Sequence, residues 1–145
     1  GEMKALTTRI IMAMALLSAT ISCTTNNGNI GEWMGRWKLT EIECNGSVVS
    51  DYEGNMFFAF QSTVFEVRKV GDYYEHDEKY GTWVDDGKGT LVVSFPDERY
   101  KPFEELHFSQ ERNVLTYDKV DANGFELTLH AADGNTYTYH LEKWE

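Results

Sequence analysis

Residues 125–141 read Phe-Glu-Leu-Thr-Leu-His-Ala-Ala-Asp-Gly-Asn-Thr-Tyr-Thr-Tyr-His-Leu. Phe125, Leu127 and Leu129 alternate with polar residues up to Asp133-Gly134-Asn135, and Tyr137, Tyr139 and Leu141 alternate after it. A period of two on both sides of a turn signal predicts a β-hairpin with one apolar face. Taking Asp133-Gly134-Asn135 as a three-residue loop pairs Ala132 with Thr136, which sets Leu129 opposite Tyr139 and Leu127 opposite Leu141. Thr128 then faces His140, and His130 faces Thr138, on the polar side. A one-residue slip would turn every apolar side chain outward, so agreement between turn and pattern fixes which face is buried.

The same pattern extends back to Trp33. Trp37 and Leu39 alternate before Asn45-Gly46; then come Met56, Phe58 and Phe60, followed by Phe65 and Val67. A long polar-rich run from Tyr73 to Val84 ends at Asp85-Asp86-Gly87-Lys88-Gly89. Leu91, Val93 and Phe95 alternate up to Pro96, followed by Leu106 with Phe108 and by Leu115 with Tyr117. The pattern predicts about nine short strands, no helix, and hairpin-length connections. A meander leaves two exposed edges unless it closes, so we expect an all-β, antiparallel up-and-down barrel of about eight strands. A two-sheet sandwich is the alternative.

Ahead of this region, Lys4 and Arg9 precede an uncharged run from Ile10 to Ser22 that ends at Cys23. A short positive segment, an apolar stretch and a small residue make up a secretory signal. The run is shorter than the ~20 residues a membrane span needs. Gly1-Glu2 stand ahead of Met3 and read as an addition to the start. Ile21-Ser22-Cys23 resembles the end of a lipobox, with Thr20 where an aliphatic residue is usual. That resemblance implies a lipoprotein signal over 1–22, cleavage before Cys23, and a lipid on its sulfur that holds the protein to a membrane. Residues 23–30, including Thr24-Thr25-Asn26-Asn27-Gly28-Asn29, are polar and turn-rich and read as a flexible tether. The folded domain is expected over 31–145.

Segment 1–22 carries Glu2, Lys4 and Arg9, a net +1, so the remainder carries −12 where the whole chain carries −11. Such an acidic surface argues against nucleic acid as a partner, because binding it requires Lys and Arg to neutralise phosphate. With Cys23 lipidated, Cys44 is the only remaining thiol, so an internal disulfide is excluded and stability must come from burial. All four Trp, eight Tyr and eight Phe lie after Cys23 and supply large side chains for that burial.

Gly35-Arg36-Trp37, opening the first strand of an all-β chain, resembles the Gly-x-Trp motif of lipocalins and their calycin relatives; Gly31-Glu32-Trp33 repeats it. The resemblance implies a barrel whose closed end is plugged by the Trp37 indole, with a basic residue of the last strand packed across it. Lys143 is the residue available there. Together with the lipobox and Tyr80-Gly81-Thr82-Trp83-Val84, the chain resembles small lipocalin-like lipoproteins of Gram-negative, Bacteroidetes-type bacteria. This implies a cell-envelope location.

No catalytic constellation stands out. His130 and His140 lie on adjacent strands, diagonal on the outer face, but a zinc site needs three or four ligands, so no metal or other cofactor is expected. His76 sits in a solvated stretch, and His107 alternates with Leu106 and Phe108. The carboxylate pairs Asp77-Glu78, Asp85-Asp86 and Glu104-Glu105 are sequence neighbours and do not face each other across a cleft. Asp85-Asp86-Gly87 reads as a turn. Cys44 has no histidine placed by a recognised pattern, and there is no Gly-x-Ser-x-Gly elbow, so the protein is expected not to be an enzyme. The apolar interior remains the functional candidate. Phe58, Phe60, Phe65, Phe95, Tyr117, Leu127, Tyr137 and Tyr139 are expected to line it and to bind a small apolar or aromatic ligand. The alternative is a filled core, with the acidic surface or the loop from Gly71 to Lys79 recognising a protein partner.

Overall fold

The computed structural model describes residues 34–144, apart from the side chain of Tyr74. The expected signal segment, Cys23, the expected tether and Gly31-Glu32-Trp33 lie outside the described residues. Nine strands follow in order: β1 (Gly35–Cys44), β2 (Ser47–Val48), β3 (Met56–Gln61), β4 (Val64–Val70), β5 (His76–Asp85), β6 (Thr90–Ser94), β7 (Asn113–Asp121), β8 (Gly124–His130) and β9 (Thr136–Lys143). Every consecutive pair from β3 to β9 is antiparallel. β1 pairs with β3 through its first half and with β9 from Trp37 onward. Eight strands therefore close into an antiparallel barrel, and the two-residue β2 folds back on the end of β1. Closure leaves no open edge among these eight.

The alternation read from the sequence explains the core. Trp37, Leu39, Phe58, Phe60, Val67, Leu91, Val93, Leu115, Leu127, Tyr139 and Leu141 all point inward and are buried. At Gly35 the backbone φ is +119°, a conformation that glycine adopts without steric cost, and the chain enters the barrel there. Trp37 follows, 1% exposed, with its ring edge-on to Phe125 at 5.1 Å. The Lys143 ammonium lies 6.0 Å from the Trp37 ring centroid. This is the place the resemblance gave it, held by charge over the ring.

Several expectations are corrected. Leu106 and Phe108 do not form a strand. Glu104–Leu106 make a short 3-10 turn, His107 takes φ +58°, and both apolar residues reach down from a segment that crosses the mouth. Their i, i+2 spacing reflects two side chains anchored in one cap. The long run ending at Val84 begins as a strand only at His76, because Tyr73 sits at φ +57° in the turn before it. In the β8–β9 hairpin the observed pairs are Leu127 with Tyr139, Leu129 with Tyr137 and His130 with Thr136. The loop is Ala132-Asp133-Gly134, one residue earlier than expected: Gly134 adopts φ +88° and donates to the Ala131 carbonyl, and Ala131 donates to that of Asn135. A turn closed by a left-handed glycine selects this register. The shift of two residues leaves every side chain on its expected face.

β1 carries a bulge between Leu39 and Glu41, so Leu39 and Ile42 both point inward although they are three residues apart. Pairing of β1 with β3 ends at Leu39–Met56, where β3 begins. Tyr52 bridges the two strands there, its hydroxyl donating to the Leu39 carbonyl at 2.6 Å and accepting from the Met56 amide at 3.1 Å. Burial pushes the Tyr52 phenol up to about 12. Replacing Tyr52 by Phe should cost about 1–3 kcal/mol in chemical denaturation, since a backbone donor and an acceptor both lose their partner. A phenol raised in the fold stabilises it below pH 10, and that contribution fades as pH climbs toward 12. The variant's stability should therefore fall less steeply than the parent's across that window.

Candidate functional site

Seven of the eight interior candidates (Phe58, Phe60, Phe65, Phe95, Leu127, Tyr137 and Tyr139) are at most 3% exposed. The structure brings most of them into one aromatic network. Phe65 touches Phe58, Phe60 and Phe95 at ring-centroid distances of 5.3, 5.0 and 5.9 Å. Tyr117 stands apart and is half-buried; its hydroxyl donates to Asp85 Oδ1 at 2.8 Å and its ring meets Phe125. Asp85, itself buried, also accepts from the Gly87 amide, so the Asp85-Asp86-Gly87 segment is the turn its sequence suggested.

Over the mouth lies the β6–β7 connection, residues 95–112, too long to be a plain hairpin loop. Its base is tied down twice. Phe95 N donates to Gln110 O, and the buried Asn113 side chain donates to the carbonyls of Val93 and Ser109 while accepting from Ser109 N. Between these ties, Leu106 is fully buried and the half-buried Phe108 meets Phe58, Phe95 and Tyr139 at 6.4, 6.4 and 5.4 Å. The Tyr139 hydroxyl donates to the Leu106 carbonyl, and burial holds the Tyr139 phenol far above its ordinary range.

The remaining links of this cap sit at the rim. Lys69 Nζ meets Glu105 at 2.6 Å, with both side chains 37% exposed. His107 stacks flat on Tyr137 at 4.1 Å. The Tyr137 hydroxyl donates to Asp133, and that bond is the largest cause of the lowered Asp133 carboxyl. Solvent-exposed ion pairs of the Lys69–Glu105 kind hold a segment weakly. A groove of about 310 Å³ opens beside the cap, between His107, Arg112, Asn113 and the β8–β9 loop.

The histidines do not behave as expected from the hairpin alone. His130 pairs with Thr136 and His140 with Glu126, so the two lie about 13 Å apart along the strands and do not meet. His130 Nδ1 instead contacts Thr136 Oγ1 at 3.0 Å, and His76 sits 2.6 Å from Glu78 on the exposed start of β5. On the outer face His140 is surrounded by carboxylates: Glu43 at 3.0 Å and Glu41 at 3.7 Å from Nε2, and Glu126 at 3.3 Å from Nδ1. This group was not visible as a cluster in the sequence. The signal that would have found it is the phase break between Leu39 and Ile42, which turns Glu41 and Glu43 outward beside β9. Cys44 ends β1, half-buried, as a strand-end residue.

Comparison with known proteins places the fold. No curated protein matches the chain. A lipocalin-like protein from Bacteroides uniformis ATCC 8492 superposes with a TM-score of 0.59 at 13% identity, over 79% of this chain and 100% of that one. An uncharacterized protein from Bacteroides eggerthii DSM 20697 does so with a TM-score of 0.58 at 15% identity, over 78% and 100% of the two chains. At such identities the likeness concerns fold alone. The lipocalin-like domain pattern matches residues 15–143, nearly the whole chain. With the closed eight-stranded barrel and the Gly-x-Trp entry already seen, the chain belongs to the lipocalin-like domain family.

Proposed function

We propose that this protein is a non-enzymatic, lipid-anchored component of the bacterial cell envelope that binds a small apolar or aromatic molecule inside the barrel. The observation that carries the reading is the cap. One segment, 95–112, seals the mouth with two apolar side chains, Leu106 and Phe108, and is held at its rim by the weak, partly exposed Lys69–Glu105 pair. Lifting it would expose a wall of aromatic rings with hydroxyls at Tyr137 and Tyr139 able to orient a ligand. Cys23 would carry the anchor, and 23–30 would give the domain reach from the membrane.

The test uses the full chain, produced in a Gram-negative host, and a panel of small aromatic probes followed by tryptophan fluorescence. The parent should bind at least one probe saturably, and Phe108→Ala should bind it more tightly because the ring vacates space under the cap. Mass spectrometry of the same material should find a diacylglyceryl group on Cys23. If neither parent nor variant binds any probe, the second reading takes over: a filled barrel that presents its acidic surface to a protein partner. That reading is favoured by the near-complete burial of the interior rings.

A further inference from the structure

On the outer face of the barrel wall, Glu41 and Glu43 of β1, His140 of β9 and Glu126 of β8 converge. We propose that Glu41, Glu43 and His140 form a binding site for a divalent transition-metal ion of the zinc class, with Glu126 orienting the imidazole.

Ligand type and spacing carry the argument. One ring nitrogen and two carboxylate oxygens lie within 4.8 Å of one another, on three half-buried residues. Imidazole with carboxylate suits zinc and its first-row neighbours. In a tetrahedral site with bonds of 2.0–2.1 Å, ligand atoms stand about 3.3 Å apart. The Nε2 separations of 3.0 Å to Glu43 and 3.7 Å to Glu41 bracket that spacing. Small side-chain movements would therefore admit an ion among these three atoms, which already lie within 4.8 Å of one another.

Orientation is supplied independently. Glu126 lies 3.3 Å from the other ring nitrogen, Nδ1. A carboxylate accepting from Nδ1–H leaves the Nε2 lone pair free for a metal, and metal-ligating histidines are commonly held in this way. The scaffold is rigid for the same reason that the barrel is closed. Glu41 and Glu43 project from the seam strand just past its bulge, and the Thr40 hydroxyl in that bulge donates to the His140 carbonyl.

Charge points the same way. Among the described residues no Lys or Arg pairs with Glu41, Glu43 or Glu126; each meets only His140. One imidazole cannot offset three carboxylates. Asp118, paired with Glu126 across β7 and β8, adds further negative charge to the same face. A dication is the species this field attracts.

The experiment is a calorimetric titration of the metal-free full chain with zinc chloride. The parent should take up one equivalent saturably. His140→Ala should abolish that equivalent, Glu126→Ala should weaken it roughly 10- to 100-fold, and Glu142→Gln and His130→Ala should leave it unchanged. Should His140→Ala fail to give the parent's far-ultraviolet circular dichroism, the Glu41→Gln/Glu43→Gln double variant takes its place. Absence of a one-equivalent site in the parent, or its survival in His140→Ala or in the double variant, overturns the proposal.

Discussion

Replacing Trp37 with alanine should destabilise the domain by about 3–5 kcal/mol, the range for deleting a large buried aromatic side chain. The indole is 1% exposed, packs edge-on against Phe125 and is covered by Lys143, so its removal leaves a void at the closed end that rigid strands cannot collapse into. Urea unfolding followed by circular dichroism measures the loss directly. A change below about 1 kcal/mol, the level of an ordinary surface substitution, would mean that the indole does not plug the barrel. Trp37→Phe should recover part of the loss, because a smaller ring still fills part of the space.

Gly81→Ala should be comparably severe for the opposite reason, with a cost of about 3 kcal/mol or more from overpacking. Gly81 faces inward on β5 opposite Phe65, where a Cβ would stand 2.2 Å from the Ser94 carbonyl oxygen and 3.0 Å from the Phe95 ring. The first obstacle is backbone in the neighbouring strand, so no rotamer change relieves it. Truncating Phe95 in the same chain should therefore not restore stability. Restoration in the Gly81→Ala/Phe95→Ala double variant would show that the ring, and not the β6 backbone, sets the limit.

Closure and inward alternation were legible in the sequence because a period of two is a property of the pleat itself and survives errors of detail. The β8–β9 hairpin shows how far this goes. Leu127, Leu129, Tyr137 and Tyr139 were assigned to the correct face while the pairing was two residues out, since only the left-handed glycine at 134 distinguishes the two loops. Irregular backbone was less readable. Leu106 and Phe108 imitate a strand, yet they are the two feet of a cap whose shape depends on Pro-flanked turns and on anchors at Asn113 and Tyr139. The acidic group around His140 was hidden for a related reason. It needs the bulge at Thr40 to bring alternate residues of β1 to the outer face, and it joins positions about a hundred residues apart. The interior candidates are buried, apart from the half-buried Tyr117, because burial follows from the pleat.

The seam between β1 and β9 has a kinetic corollary. Leu39 pairs with Leu141 and Cys44 with Tyr137, so the first strand finds one of its two permanent neighbours only in the last. A growing chain can lay down the meander from β3 to β8 in order, but the ring cannot shut until residues 136–143 have been made. Search over such a span is slow, roughly milliseconds to seconds for chains dominated by distant pairings. Until then β1 retains one unsatisfied edge. A late-closing ring therefore keeps the chain pliable until β9 has been made.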